Sequence, residues 1–276
     1  IAAKANVDVI NSLDKTALHL ASEKGHVSAV QMLLLANATL DKTQKLGLTP
    51  LHVAAGKGYG DVVQALVDAK ANLEARCGQG RTPLHQAAYS GSTAAGRVLI
   101  NARASLNTRD GVQLTPLYLA LSFCHSEVVQ LLVEAKASLD VEGNPNSCLL
   151  LAAAARCDVA TTQALLEAKA NVNACDRLLK TTPLHLTALY GHISSMQVLI
   201  GARAAVTAED MKRRTALHLA VLHGHGEGVQ MLVDANACVD AADQCDETPL
   251  LLAAKRGNSD CLRVLICARA RVDVKD

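Results

Sequence analysis

His223 and His225 flank a single glycine, a spacing that can put two imidazoles on one turn for a metal ion such as zinc. Zinc needs two further ligands. The nine cysteines include no C-x-x-C pair, and the chain has no H-E-x-x-H segment. Gly56-Lys57-Gly58-Tyr59-Gly60 is glycine-rich enough to suggest a phosphate cradle, but it lacks the preceding strand and the spacing such a loop requires. His19, His52, His85, His185 and His218 could each act as a general base if it stood alone. They do not stand alone: they recur at one register, and His225 falls in line with His26, His125 and His192 at another. Recurrence at fixed spacing points to a structural task. Cys77, Cys175 and Cys245 fall where turns are expected, at exposed positions, with no activating partner near in sequence. No catalytic residue, metal site or cofactor is assigned, and the chain is not read as an enzyme.

The element that must position these groups is an internal repeat. Thr16-Ala-Leu-His19 returns as Thr49-Pro-Leu-His52, Thr82-Pro-Leu-His85, Thr115-Pro-Leu-Tyr118, Cys148-Leu-Leu-Leu151, Thr182-Pro-Leu-His185, Thr215-Ala-Leu-His218 and Thr248-Pro-Leu-Leu251. The steps are 33, 33, 33, 33, 34, 33 and 33 residues. Within one unit, Thr49 is placed to cap a helix and Pro50 to occupy its first position. His52, three residues past the cap, can reach back as the acid of a capping box does. Gly58 ends this helix, and Val62, Val63, Leu66 and Val67 give a second one its apolar stripe. Composition agrees. Half the residues are apolar but only 2% are aromatic, so Ala, Leu and Val must form the core, which suits short, closely packed helices. The net charge of +1 carries no overall field of a dedicated nucleic-acid binder. An odd cysteine count argues against a disulfide framework and for a reducing, intracellular setting, the cytoplasm. No apolar run reaches the length of a membrane span.

The 33-residue period and the T-P-L-H-x-A motif resemble the ankyrin repeat along the whole chain. The resemblance implies an all-α type repeat solenoid with a β-turn finger and two antiparallel helices per unit, stacked in a curve. It implies one array over 1–276 anchored at Thr16, Thr49, Thr82, Thr115, Cys148, Thr182, Thr215 and Thr248. Both ends read as cut from a longer array, since Ile1 to Lys4 align with Ile100 to Arg103 and neither end shows a polar cap. It also implies a protein–protein interaction scaffold or adaptor, with fingers and inner helices lining a concave binding face. One alternative is a regulatory or targeting segment of a larger enzyme or channel. Another is nucleic-acid or phosphoinositide binding through a basic column. In some members of this family an asparaginyl hydroxylase modifies the finger position filled here by Asn107 and Asn173.

Departures from the pattern localise the expected site. The basic column runs Lys4, Asn37, Lys70, Arg103, Lys136, Lys169, Arg203, Asn236 and Arg269, where the family usually has glycine. It is read as helix-end chemistry, each cation worth ~0.3–1 kcal/mol near the last carbonyls. All five aromatic residues, including Tyr89, Phe123 and Tyr190, fall in a first helix or the turn after it. The single extra residue lies between Cys175 and Thr182. Beside it stand Arg177, Leu178, Leu179 and Lys180, and in the next unit Met211, Lys212, Arg213, Arg214 and His223. These residues are read as an apolar patch rimmed by positive charge, suited to a protein segment with acidic and apolar residues. Packing of Leu178 and Leu179 against the adjacent finger is the competing reading. The partner is expected to be another protein, with no small-molecule substrate, no membrane insertion and no nucleic acid. The fifth unit loses its Thr cap, its His and its Gly together, and a lost cap costs ~1 kcal/mol. Amide exchange is therefore expected to be faster over 148–170 than over 49–70, and equal protection by hydrogen-exchange mass spectrometry would overturn that reading.

Overall fold

The computed structural model describes residues 6–139 and 149–271. The anchor Cys148 and the column residue Lys4 lie outside the described residues. Sixteen α-helices are described, with no strand among the described residues. They form two compact units, Ile1–Ser138 and Leu139–Asp276. In the first unit the first helices of the repeats are α1 (Ala17–Lys24), α3 (Pro50–Lys57), α5 (Pro83–Ser90) and α7 (Pro116–Ser122). Their second helices are α2 (Val27–Leu35), α4 (Gly60–Asp68), α6 (Thr93–Asn101) and α8 (Ser126–Glu134). In the second unit the first helices are α9 (Leu149–Ala155), α11 (Pro183–Tyr190), α13 (Ala216–Leu222) and α15 (Pro249–Arg256). Alternating with them are α10 (Val159–Glu167), α12 (Ile193–Gly201), α14 (Gly226–Asp234) and α16 (Ser259–Cys267). Within each unit, first helices pack on first helices and second on second, giving two layers. No helix among the described residues is long and apolar enough to cross a membrane.

The start of each first helix follows from the repeated tetrad. Thr49 is extended, its hydroxyl meets the His52 N–H, and the His52 Nδ1 accepts from the Thr49 N–H at 3.2 Å. The same two-way cap forms at Thr16, Thr82, Thr182 and Thr215. The other ring nitrogen reaches out of the repeat. His19 Nε2 donates to the Leu48 carbonyl at 3.0 Å, His52 to Arg81 at 2.9 Å, His85 to Leu114 at 3.1 Å and His185 to Arg214 at 3.0 Å. A carbonyl can only accept, so Nε2 carries the proton and Nδ1 is the acceptor: the ring is neutral. In His218 the cap is kept, while Nε2 faces the Glu247 carbonyl without a well-formed hydrogen bond.

Two residues beyond each Thr, Leu18, Leu51, Leu84 and Leu117 of the first unit and Leu184, Leu217 and Leu250 of the second are buried. Each such side chain contributes about 2 kcal/mol of burial. Ala54, Ala87, Ala120, Ala220 and Ala253 are also buried, small enough for helices of successive repeats to approach closely. In the fifth repeat Leu149, Leu150 and Leu151 are all buried, so packing there takes up part of what the lost tetrad supplied. Met32 and Leu35 of α2 and Ile266 of α16 are exposed apolar side chains.

Both helices of a repeat end in left-handed backbone. Gly191 has φ +69°, and a Cβ there would stand 2.6 Å from His225 Nδ1. That ring lies over the glycine because its Nε2 donates to the Leu189 carbonyl at 3.1 Å. Cys124 and Cys157 adopt the same conformation, φ +59° and +58°, despite their side chains. The second helices stop at the basic column. Lys70, Arg103, Lys136, Lys169, Arg203 and Arg269 all have φ between +61° and +69°. The strain of about 1 kcal/mol per copy is thus incurred, and a cation near the last carbonyls offsets much of it. The N–H of Lys70 bonds Val67 O and that of Ala71 bonds Leu66 O, after which Ala71 is buried. The Ala-Lys/Arg-Ala triplet is therefore a helix stop with an apolar anchor.

Burial pushes the pKa of His19, His52, His85, His185 and His218 below the ordinary 6.5. A lowered histidine pKa means that the unfolded chain binds protons which the folded chain refuses. The stability these rings contribute is present above about pH 6.5 and is lost as pH falls through the folded values. The urea midpoint is expected to fall between pH 7.5 and pH 5.5, and to fall less steeply in His52→Gln. A midpoint that holds or rises on acidification overturns this reading.

Candidate functional site

Each finger turn has a left-handed residue two positions before its Thr, at Asp14, Gly47, Gly80 and Gln113 in the first unit and Lys180, Arg213 and Asp246 in the second, and in the 44–48 turn Leu46 is left-handed as well. In most of them the residue opening the turn is an acceptor that staples the loop. Asp110 Oδ1 takes the N–H groups of Val112 and Leu114, Asp210 those of Lys212 and Arg214, and Asp243 those of Cys245 and Glu247. Cys77 occupies this place in its finger and is 7% exposed, contrary to the exposure expected of it, while Cys175 and Cys245 are exposed. Asp243 is buried within its own turn.

Neighbouring fingers are tied backbone to backbone. In the first unit Gly78 N–H donates to Leu46 O and Gly111 N–H to Gln79 O, both at 2.8 Å. In the second, Met211 N–H donates to Leu179 O at 2.9 Å and Gln244 N–H to Lys212 O at 3.0 Å. A second ladder uses the column that includes Asn107 and Asn173. Asp8, Asp41, Glu74, Asn107, Asn173 and Asp240 each accept a backbone N–H from the following repeat. Both asparagines are exposed, and their carboxamide oxygens are engaged at 2.8 Å by Ser138 and Ala205. These roles escaped sequence reading, although the recurrence of Asp, Glu and Asn, all side-chain acceptors, at one register was visible.

In the second unit the extra residue lengthens the finger as expected. The Lys180 N–H closes the turn onto Asp176 O, four residues back, whereas Arg213 closes onto Asp210, three back. Asp176 holds the wider loop through the N–H groups of Leu178, Leu179 and Thr181. Burial opposes its charge, but these bonds outweigh it and lower its pKa below 3.8. The loop turns Leu178 and Leu179 outward, 70% and 62% exposed, and Met211 on the next tip is 57% exposed. The leucines therefore do not pack away against the adjacent finger. Arg177, Lys180 and Lys212 are exposed and make no ion pair among the described residues. Arg213 is exposed and stands 4.0 Å from Glu209.

Arg214 differs from its neighbours. Its guanidinium grips Asp210 at 2.6 and 2.9 Å and its carbonyl takes the His185 proton, so it serves the framework. Tyr190, half exposed, stacks on His192 at 5.5 Å. His223 is exposed and lies 6.2 Å from His225 in a parallel stack. Partial burial, His225, Arg256 and Arg214 lower the pKa of His223, leaving it neutral at pH 7. The His225 Nε2 is committed to Leu189 O.

Tyr89 and Phe123 belong to the first unit. Their rings meet edge to face with centroids 4.5 Å apart, both partly exposed. The Arg81 guanidinium lies 4.7 Å from the Tyr89 centroid while its Nε pairs with Asp110 at 3.3 Å. The predicted residues thus fall into an apolar and basic pair of fingertips in one unit and a ring cluster in the other.

A family model described as ankyrin repeats (3 copies) matches residues 1–77, 69–143, 149–243 and 184–276. No curated protein matches at a significant level. Among solved structures, the ankyrin repeat domain of Bcl-3, described as a unique member of the IkappaB protein family, is similar at 26% identity with a TM-score of 0.51. That likeness covers 91% of this chain and 98% of the other.

Side chains this exposed contribute little to folding. Replacing Leu178 and Leu179 together by serine is expected to change unfolding free energy by less than ~0.5 kcal/mol, whereas Leu184→Ala, at a fully buried position, should cost ~2–5 kcal/mol. Urea titrations of both variants provide the check, and a large loss in the serine variant would show that the leucines serve the core.

Proposed function

The chain belongs to the ankyrin-repeat family, and on that premise we propose that it is a protein-interaction scaffold whose partner docks on the fingers and on the first helices beside them. Ankyrin repeats are in general protein–protein interaction modules, and the similar Bcl-3 domain fits that description. The observation that carries the reading is the group of large apolar side chains at Leu178, Leu179, Met211 and Tyr190, left in solvent on turns and helix ends with no core to serve. Exposed apolar residues rimmed by charge characterise protein interfaces. The ring cluster of Tyr89 and Phe123 in the first unit is of the same character. A reducing compartment such as the cytoplasm goes with this reading, on the odd cysteine count of the sequence.

The basic column supports nucleic-acid binding less well. Its cations recur once per repeat at the ends of second helices, where they have a conformational task, and no aromatic side chain accompanies them there.

The test begins with capture of partners by the full chain from its source cell, followed by titration of the purified partner. Saturable binding is expected, weakened at least about tenfold by Leu179→Asp combined with Tyr190→Ala, or by Tyr89→Ala combined with Phe123→Ala, in keeping with the weight of buried anchors. The absence of any saturable protein partner overturns the function, and a partner indifferent to both pairs overturns the surface.

A further inference from the structure

Three observations converge on the fingertips of the second unit. The first is conformational. Lys180 and Arg213 hold φ +52° and +56° at the turn position that Gly47 and Gly80 fill in the first unit; Asp14, Gln113 and Asp246 are left-handed there too, but only these two tips place a cation at it. A side chain there is strained relative to glycine, and both side chains are exposed, so the fold regains little from them. The second is the inserted residue, which widens the 176–181 loop and lifts Leu178 and Leu179 into solvent beside Met211. The third is a change of charge along the row. Arg177 and Lys180 lie on one tip and Lys212 and Arg213 on the next, but the third tip exposes Asp246. On that tip Asp243 is buried in its turn and Glu247 is paired with Lys255 at 2.6 Å, so no free cation continues the row.

We infer that the paired fingertips 177–180 and 211–213 bind an extended protein segment that crosses the fingers, carries acidic and apolar residues over these two tips, and has no acid over Asp246. This deepens the protein-binding reading and rests on it. The direction of crossing follows from the backbone tie between Leu179 and Met211, which sets the tips side by side as one strip. Packed helices lie about 8–10 Å apart and an extended chain advances about 3.3 Å per residue. A crossing segment therefore meets a new finger about every three residues. Its apolar side chains would cover Leu178, Leu179 and Met211, and its carboxylates would answer the four cations. A phosphate backbone suits the strip less well, because its cations are interleaved with aliphatic side chains and the tips hold no ring on which a base could stack.

The probe is a fluorescein-labelled synthetic peptide with Leu at every third position and Asp or Glu between, titrated by anisotropy against the full chain. Its controls are the same peptide with Lys for each acid, the same peptide with Ser for each Leu, and an oligothymidine. The acidic leucine peptide is expected to bind at least about tenfold more tightly than each control. Leu179→Asp combined with Arg213→Glu should weaken it about tenfold or more with the circular dichroism unchanged. Asp246→Lys should tighten it about two- to fivefold, since reversing one exposed charge is a modest effect. No binding, equal binding of the lysine peptide, tighter binding of oligothymidine, or indifference to the double substitution overturns the inference. A natural partner that loses affinity only on Tyr89→Ala with Phe123→Ala would also overturn it while leaving the scaffold function intact.

Discussion

The imidazole of His52 is pinned from both sides, accepting from the cap of its own helix at Nδ1 and donating to the Arg81 carbonyl at Nε2. One ring therefore settles where a helix starts and where the next finger must lie. Its companions at His19, His85 and His185 repeat the arrangement. The pairing works only for the uncharged tautomer, because a proton on Nδ1 would face the cap N–H. Burial keeps that tautomer by raising the cost of charge. Stacking, finger spacing and the protonation state of the core are consequently one constraint. Thr, Pro, Leu and His appear as a block because each serves the same junction.

Left-handed backbone is the second organising feature, and residue choice there separates framework from surface. Where the ring of the following repeat lies over the turn, as His225 does over Gly191, a Cβ has no room. Where the position opens to solvent, as at Lys70 or Arg213, a long cation is accommodated at the cost of some strain. At helix ends that cation is compensated by nearby carbonyls. At the fingertips of the second unit such compensation is lacking, and this sets Lys180 and Arg213 apart from the basic column.

Much of this was legible in the residues. The Thr caps, the backward reach of His52, the glycine stops and the exposed tips around Leu178 all follow from local rules. What escaped was of one kind. The Nε2 bond reaches a main-chain carbonyl 29 residues on, and a carbonyl carries no residue identity to read. Arg214 and Arg213 are neighbours of identical chemistry, yet one is bound to Asp210 and the other faces solvent. Asp243 and Cys77 hold the same turn position, which buries both for reasons of geometry that neither side chain announces. The Lys and Arg of the basic column close their helices as read, although residue type alone does not announce the left-handed backbone they adopt.

The side-chain ties between successive repeats reach only 29 to 38 residues along the chain, from the His19 bond to Leu48 to the His192 bond to Ala154. No interaction described within a unit has to wait for a distant segment. During synthesis, each repeat would find its acceptors as soon as the following one leaves the ribosome, so that order can advance with translation. Any step that stalls leaves one finger and one ring without acceptors, and the unfinished edge is a single repeat wide.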